Sequence, residues 1–398
     1  GSCIFRGFYL ADRSIYEEMR MADTYRMCGY CVMDTAAEDI EFDIEGRCNY
    51  CRAYEERAKR EVHSDAEGRK RLDCLVAKIK KERKGKDYDC LIGLSGGTDS
   101  SMVAYIVKRE LGLKPLAVHF DNGWDSELAV NNIERIVKGL NIDLYSYVVN
   151  WEEFRDLLLA FLRSSISNSE IPTDHGIVAT MYRTAKKYDL KYIFSGSNIV
   201  GEAIMPAAWM YDATDWRLIK GIHREFGKHR LTTYPKMTLH DWVYYTFIKR
   251  IRFIPLLNYF DYNVQNARSL LNKEIGWRDY GDKHCESVYT RFFQNYILPI
   301  KYNMDKRKAH YSTLICSGQM TRDEALKKLN VNPYSEPRIV EDKEYVIKKL
   351  GIDVQEFDRI MSSPVRTYRD YPNNYFWFNK LKWFVRYAKK LATDINEG

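Results

Sequence analysis

The sequence predicts an α/β protein: a parallel sheet with helices on both faces, preceded by a small cysteine-bearing module and followed by a helical C-terminal region. Three observations carry this. Between residue 88 and about residue 200, short apolar runs alternate with amphipathic stretches. The first of those runs stops at a glycine pair that opens a helical pattern. Two Cys-x-x-Cys pairs stand ahead of the block, in a stretch with little apolar periodicity. Strands separated by helices imply a parallel sheet covered on both faces.

The elements follow in order. Gly1-Ser2 reads as a cloning scar and Met21 as the native start, so residues 1 to 20 receive no functional weight. Residues 21–60 form the cysteine module. Residues 61–240 hold the sheet, and residues 241–398 the helical, aromatic-rich remainder. Within 61–84, Leu72, Leu75, Val76 and Ile79 recur at helical spacing among charges, which predicts a connecting amphipathic helix. Tyr88 to Leu94 reads as the first strand and Ser101 to Leu111 as the first helix of the sheet. Pro115–Phe120, Leu144–Val149 and Lys191–Phe194 read as further strands. Glu127–Leu140, Trp151–Leu162 and His175–Tyr188 read as helices, the last with Asp174 as its expected cap. Thr321-Arg322-Asp323-Glu324 has capping-box spacing.

The central signal is Ser95-Gly96-Gly97-Thr98-Asp99-Ser100, between a strand and a helix. Two glycines let the backbone approach an anion closely. The helix start supplies unpaired N–H groups and the positive end of a dipole. Ser95, Thr98 and Ser100 add hydroxyls. Asp99 either caps the helix or helps hold Mg²⁺; the plainer alternative is a glycine turn that it caps. The loop lacks the Gly-Lys-Ser/Thr ending of a Walker loop and is not Gly-x-Gly-x-x-Gly, so kinase-type and dinucleotide folds are disfavoured. Asp121-Asn122-Gly123-Trp124 ends the second strand and Ser195-Gly196-Ser197-Asn198 the fourth. Three polar, glycine-bearing turns thus fall at one sheet edge, where ligands of such sheets bind.

Cys28-x-x-Cys31 and Cys48-x-x-Cys51 are separated by sixteen residues. Two knuckles at this spacing place four thiolates tetrahedrally around Zn²⁺. Four ligands fill such a site, so the role expected is structural; a redox or sulfur-transfer role is the alternative. The cysteines number nine in all. An odd count, with no apolar core of a signal peptide at the start, points to a reducing compartment and a cytoplasmic location. The net charge of +7, from 62 basic and 55 acidic residues, suits anionic small molecules and gives weak support to an RNA-binding face. No apolar run reaches bilayer-spanning length. Near the end, Trp377, Leu381, Phe384, Ala388 and Leu391 form an apolar stripe among lysines and arginines. It reads as a helix docked on the core, with a membrane-surface role as the alternative.

The loop resembles the PP-loop of the ATP pyrophosphatases, an adenine nucleotide α-hydrolase-like fold. The longer segment Gly276-Trp277-Arg278-Asp279-Tyr280-Gly281-Asp282-Lys283-His284-Cys285-Glu286-Ser287 adds to it. So do Thr290-Arg291-Phe292, Asp305-Lys306-Arg307 and Ile315-Cys316-Ser317-Gly318-Gln319-Met320. Together with the cysteine pairs they resemble the bacterial N-acetyl sugar amidotransferases of the WbpG/PseA type. Asp282 departs from the second small residue expected beside Gly281. The resemblance implies that an acetamido group on a nucleotide-linked sugar becomes an acetamidino group, for O-antigen or flagellin glycans. ATP would adenylate the amide oxygen, and ammonia would displace AMP.

On that reading Ser95, Gly96, Gly97, Thr98 and Ser100 bind pyrophosphate, with Gly196 and Ser197 beside them. Asp99 and Asp121 meet Mg²⁺ or ribose. His284 and Glu286 share a strand-like face and are placed to orient the sugar or move the proton of ammonia, a structural His–Glu pair being the alternative. Arg278 and Lys283 pair with substrate phosphate or carboxylate, or are plain solvated charges. No glutaminase constellation is present, so the resemblance implies a separate glutaminase partner, similar to the glutaminase and cyclase subunits of histidine biosynthesis. A tRNA-thiolating PP-loop enzyme, delivering sulfur through Cys285 or Cys316, is the rival. A non-enzymatic zinc-ribbon binding module is the rival of another class, and the intact loop speaks against it.

Overall fold

The computed structural model describes residues 25–281, 286–331 and 334–380. Its centre is a sheet of β1 (Cys90–Gly93), β2 (Pro115–Asp121), β3 (Asp143–Val148), β4 (Tyr192–Ser195) and β5 (Arg252–Pro255). The order is β3-β2-β1-β4-β5 and every neighbouring pair is parallel. Four strands match the sequence reading. β5 is the addition, and it lies in the region expected to be helical. Four residues ending in proline leave no periodicity to read, and β4 recruits the strand through pairs such as Phe194 with Ile254.

Its helices include α1 (Asn49–Glu61), α2 (Ala66–Glu82), α3 (Thr98–Tyr105), α4 (Glu127–Leu140), α5 (Trp151–Ser164) and α6 (Ile171–Lys187). They continue as α7 (Trp216–Phe226), α8 (Val264–Ile275), α9 (Lys306–Cys316), α10 (Arg322–Leu329) and α11 (Glu336–Leu350). The amphipathic connector is α2, opened by Asp65, whose carboxylate accepts from Gly68 N at 2.8 Å. Its Leu72, Leu75, Val76 and Ile79 bury against Cys90, Ile92 and Phe194 on one face of the sheet, together with α4 and α8. Leu91, Leu116, Val118 and Ile193 bury on the other face against Ala179, Met181, Tyr182 and Ala185 of α6. Strands covered on both sides read as continuous apolar runs, which is how they were found.

One helix start differs from expectation. α6 begins at Ile171 with Pro172 in its first turn, so Asp174 sits inside the helix and does not cap it. Proline suits that first turn because its missing N–H would have no partner there. The predicted capping box holds: Thr321 Oγ1 accepts from Glu324 N at 3.2 Å, and the Glu324 carboxylate accepts from Thr321 N at 2.8 Å.

The described C-terminal region after β5 is helical and buries its apolar side chains in a second large core. Its core joins α5 and α7 to Tyr289, Phe292 and Phe293 and to Ile339 and Val346 of α11. Arg291 binds Asp342 through two bonds of 2.8 Å, both residues buried. The cysteine module is folded onto this region. Val32, Met33 and Ala37 share a core with Trp209, Leu314, Ile315 and Ala325. No helix among the described residues is long and apolar enough to cross a membrane.

Candidate active site and metal centre

β1 turns into α3 through the Ser95–Ser100 loop. Its neighbours reverse order here: β2 and β3 extend to one side of β1, β4 and β5 to the other. Such a switch point opens a crevice at the strands' carboxyl ends. The turns after β2 and β4 flank it, as expected.

The loop is tightly specified. Gly96 has φ +82°, and a Cβ there would stand 2.8 Å from the Ala129 carbonyl oxygen, so only glycine fits. The Gly96 carbonyl accepts from Trp277 Nε1 and from the Tyr280 hydroxyl, each at 2.8 Å. Gly97 caps α3 with no side-chain bond, so its neighbours' N–H groups stay available to an anion. Ser95 Oγ and Ser100 Oγ lie 3.1 Å apart, and Gly97 N donates to Ser95 Oγ at 3.3 Å. Gly196 presses on the same helix start: a Cβ on it would be 3.2 Å from Ser100 N. Ser197 N donates to Ser195 Oγ at 3.1 Å. The arrangement presents hydroxyls and helix-start N–H groups to one small volume, a cradle suited to anionic oxygens.

The carboxylates are placed differently from one another. Asp99 lies in the first turn of α3 but is not the cap. It accepts from the hydroxyl of buried Tyr262, whose phenol is raised well above its usual range by burial and by that carboxylate. Tyr262 is fixed in turn, because Gln319 Nε2 donates to its carbonyl at 3.0 Å. Asp121, at the end of β2, accepts from Gly123 N at 2.9 Å and closes its own turn. Glu286 lies against the loop, its Oε1 3.5 Å from where a Cβ on Gly97 would be. A short antiparallel bridge holds it there: Ser126 N donates to Glu286 O and Val288 N to Trp124 O, both at 2.8 Å.

Arg278 is exposed, while its backbone is clasped by buried Asn132, which accepts from Arg278 N at 2.9 Å and donates to Arg278 O at 2.8 Å. His284, Lys283 and Cys285 lie outside the described residues, as does most of the basic aromatic stripe after Trp377. Thr98 and Ser100 stand half-buried at the loop's helical end.

Two histidines show opposite electrostatics. His119 on β2 sets Nδ1 3.0 Å from the Leu94 carbonyl, just before the loop, and Nε2 3.0 Å from Asp125 Oδ2. Both ring nitrogens face acceptors, so the imidazolium satisfies both. Burial lowers its pKa, but Asp125 and the Leu94 carbonyl outweigh that and leave it raised. His175, fully buried in α6, donates from Nδ1 to Ala213 O at 2.7 Å and accepts at Nε2 from Met237 N at 3.0 Å. Burial pushes its pKa down to about 4, so it is a neutral structural residue.

Sequence reading assigned no role to His119, Asp125, Tyr262, Trp277, Tyr280 or Asn132. Trp277, Tyr280 and Gln319 belong to the segments that carry the family resemblance, which was the available signal. The others are brought in by folding alone.

The four module cysteines are buried, with Sγ atoms all within 4.8 Å of one another. The pairs Cys28–Cys51, Cys31–Cys48 and Cys48–Cys51 lie at 3.9, 3.7 and 3.5 Å. Tetrahedral thiolates at a Zn–S distance of ~2.3 Å stand about 3.8 Å apart, so the donor set fits zinc. Backbone N–H groups of Tyr30, Cys31 and Cys48 point at Cys28 Sγ at 3.3–3.4 Å. Arg322, at the start of α10, donates to the Cys31 and Cys28 carbonyls at 3.1 and 3.2 Å and ties the knuckle to the C-terminal region.

Two family models match separate stretches of the chain. An "Asparagine synthase" family model matches residues 72–197, a span holding the loop, Asp121 and the Gly196-Ser197 turn. A model described as "LPS biosynthesis protein WbpG-like, C-terminal domain" matches residues 286–383. An uncharacterized protein of Methanocaldococcus jannaschii is 28% identical over 134 residues, covering 33% of this chain and 45% of that one. The glutamine-hydrolyzing GMP synthase of Vibrio cholerae serotype O1 is 42% identical over 77 residues, 18% of this chain and 14% of that one. The chain thus spans less than half the length of these curated relatives. Among solved structures, the NH3-dependent NAD synthetase of Campylobacter jejuni aligns at 15% identity over 75% of this chain and 98% of its own, with a TM-score of 0.31. The NMN synthetase of Francisella tularensis aligns at 14% identity over 58% and 94%, with a TM-score of 0.27. Likenesses of that strength say nothing about chemistry.

Proposed function

Because the chain belongs to the WbpG/PseA-type family of the PP-loop superfamily, an ATP-dependent amidotransferase family, we propose that it converts the acetamido group of a nucleotide-linked sugar into an acetamidino group. The observation that carries this reading is the meeting of the two matched regions. Glu286, the first residue of the C-terminal match, lies against Gly97 of the phosphate loop. A nucleotide site and an acid–base group thereby share one crevice.

The chemistry balances. The amide oxygen attacks the α-phosphorus of ATP, and the bond to the bridging oxygen breaks, releasing pyrophosphate. The adenylyl imidate carbon, no longer dulled by amide resonance, accepts ammonia. The carbon–oxygen bond then breaks, AMP departs with the former amide oxygen, and the ammonia nitrogen sheds protons to a nearby base. Ser95, Gly97, Thr98 and Ser100 hold the departing pyrophosphate, with Gly96, Gly196 and Ser197 shaping the space around it. Asp99 and Asp121 would meet Mg²⁺ or the ribose, and Mg²⁺ when bound would offset phosphate charge. Glu286, with His284, takes the proton from ammonia. Arg278 and Lys283 meet an acidic group of the sugar nucleotide. Zn²⁺ on Cys28, Cys31, Cys48 and Cys51 is structural. The protein works in the cytoplasm, in O-antigen or flagellin glycan synthesis, with ammonia from a glutaminase partner.

The test uses ATP, ammonium and a UDP- or CMP-linked diacetamido sugar labelled with ¹⁸O in its acetamido groups. The expected product is lighter than its substrate by about one mass unit without label and by about three with it, and one label appears in AMP while the unreacted acetamido group keeps the other; these follow from exchanging one carbonyl oxygen for N–H. AMP free of label, or a product from unlabelled substrate heavier by about 16 units as thiolation requires, overturns the reading.

A further inference from the structure

We propose that Trp277 and Tyr280 are positioning residues that lock the Gly96–Gly97 peptide, and so aim the Gly97 N–H at the pyrophosphate; this rests on the pyrophosphate reading of the loop. The C=O and N–H of one trans peptide point in opposite directions. Whatever holds the Gly96 carbonyl therefore sets where the Gly97 N–H points. Two donors hold it, Trp277 Nε1 and the Tyr280 hydroxyl, each at 2.8 Å. On the opposite side the Gly97 N–H meets Ser95 Oγ at 3.3 Å, a long bond that an anionic oxygen readily replaces.

A Gly-Gly peptide needs such a lock. Glycine crosses to positive φ at little cost, so nothing local stops this peptide turning over. Turned over, it would present a carbonyl oxygen to the anion. The clamp itself is rigid. The two rings meet edge-on with centroids 5.8 Å apart, and Trp277 is 1% exposed. Between them, Asn132 grips both backbone groups of Arg278, and Asn272 Nδ2 donates to the Trp277 carbonyl at 3.0 Å. The segment after α8 thereby acts on the loop without touching the anion, which gives Gly276–Tyr280 a purpose that composition does not supply.

Tyr280→Phe and Trp277→Phe each remove one donor and keep a ring. Pyrophosphate binding by calorimetry should weaken about fivefold in each, as expected for loss of one ordinary hydrogen bond. The double variant should lose more than the product of the two, since either donor alone retains part of the hold. In turnover, KM for ATP should rise while KM for the sugar nucleotide stays. Zinc content and melting temperature report folding, and Tyr280→Phe, the milder change, remains informative if Trp277→Phe unfolds. Wild-type protein that binds pyrophosphate alongside variants that bind it equally well overturns the clamp alone. Wild-type protein that binds neither pyrophosphate nor ATP overturns both the clamp and the pyrophosphate reading.

Discussion

His175 makes stability depend on pH in a calculable way. Its ring is fully buried and bonded at both nitrogens as the neutral tautomer, and burial depresses its pKa from 6.5 to about 4. The unfolded chain therefore takes up a proton below pH 6.5 that the folded chain refuses until about pH 4. The native state is favoured fully above pH 6.5, and the advantage falls as pH drops through that window. At pH 5 the loss is about 2 kcal/mol, approaching roughly 3 kcal/mol below pH 4, at ~1.4 kcal/mol per unit. Two assays check this. Hydrogen–deuterium exchange at the imidazole C2 position, read by mass spectrometry, should titrate His175 well below the ordinary histidine value of 6.5. Urea midpoints at pH 7.5 and pH 5 should differ by less in His175→Gln, which keeps a donor and an acceptor but cannot titrate. Equal shifts in wild type and variant, or a His175 midpoint near 6.5, would refute the reasoning.

Purified protein should carry one Zn²⁺ per chain, and Cys48→Ser should lose it and loosen the docking of the module on α9 and α10; elemental analysis and limited proteolysis report both, and an iron–sulfur absorption band would contradict it. ATP should yield AMP and pyrophosphate, with turnover abolished in Asp99→Ala and Ser95→Ala while zinc and fold persist; ADP on a chromatogram would rule out adenylation. Arg291→Met should cost about 3–5 kcal/mol, since it strands buried Asp342, whereas the Arg291→Met, Asp342→Leu double variant should recover much of that in urea titrations. The chain alone should use high ammonium and not glutamine, gaining glutamine use when a glutaminase partner is added; efficient glutamine turnover by the chain alone would exclude a separate partner.

What the sequence determined by itself is whatever depends on neighbours along the chain. Ser95–Ser100 declares a glycine loop opening a helix, because the two glycines and the flanking periodicities are contiguous. Cys28-x-x-Cys31 and Cys48-x-x-Cys51 declare a tetrahedral thiolate site, because each knuckle is local. β1 to β4 show as apolar runs, because a doubly covered strand has no polar face. Tertiary structure alone decided the rest. β5 ends in proline within an aromatic-rich stretch that reads as helical, and exists because β4 offers an edge to pair with. Asp99 was read as cap or metal ligand; Gly97 takes the cap position, and folding sets the Tyr262 hydroxyl, far along the chain, against one oxygen of the Asp99 carboxylate. His119 and His175 are both buried histidines. One faces Asp125, which raises its pKa, the other faces a backbone N–H and is pushed down by burial, and nothing adjacent in sequence separates them. Trp277 and Tyr280 reach Gly96 only because α8 packs on α3 and α4. A local motif states which atoms are available, whereas the field and the donors around those atoms come from residues that only packing brings together.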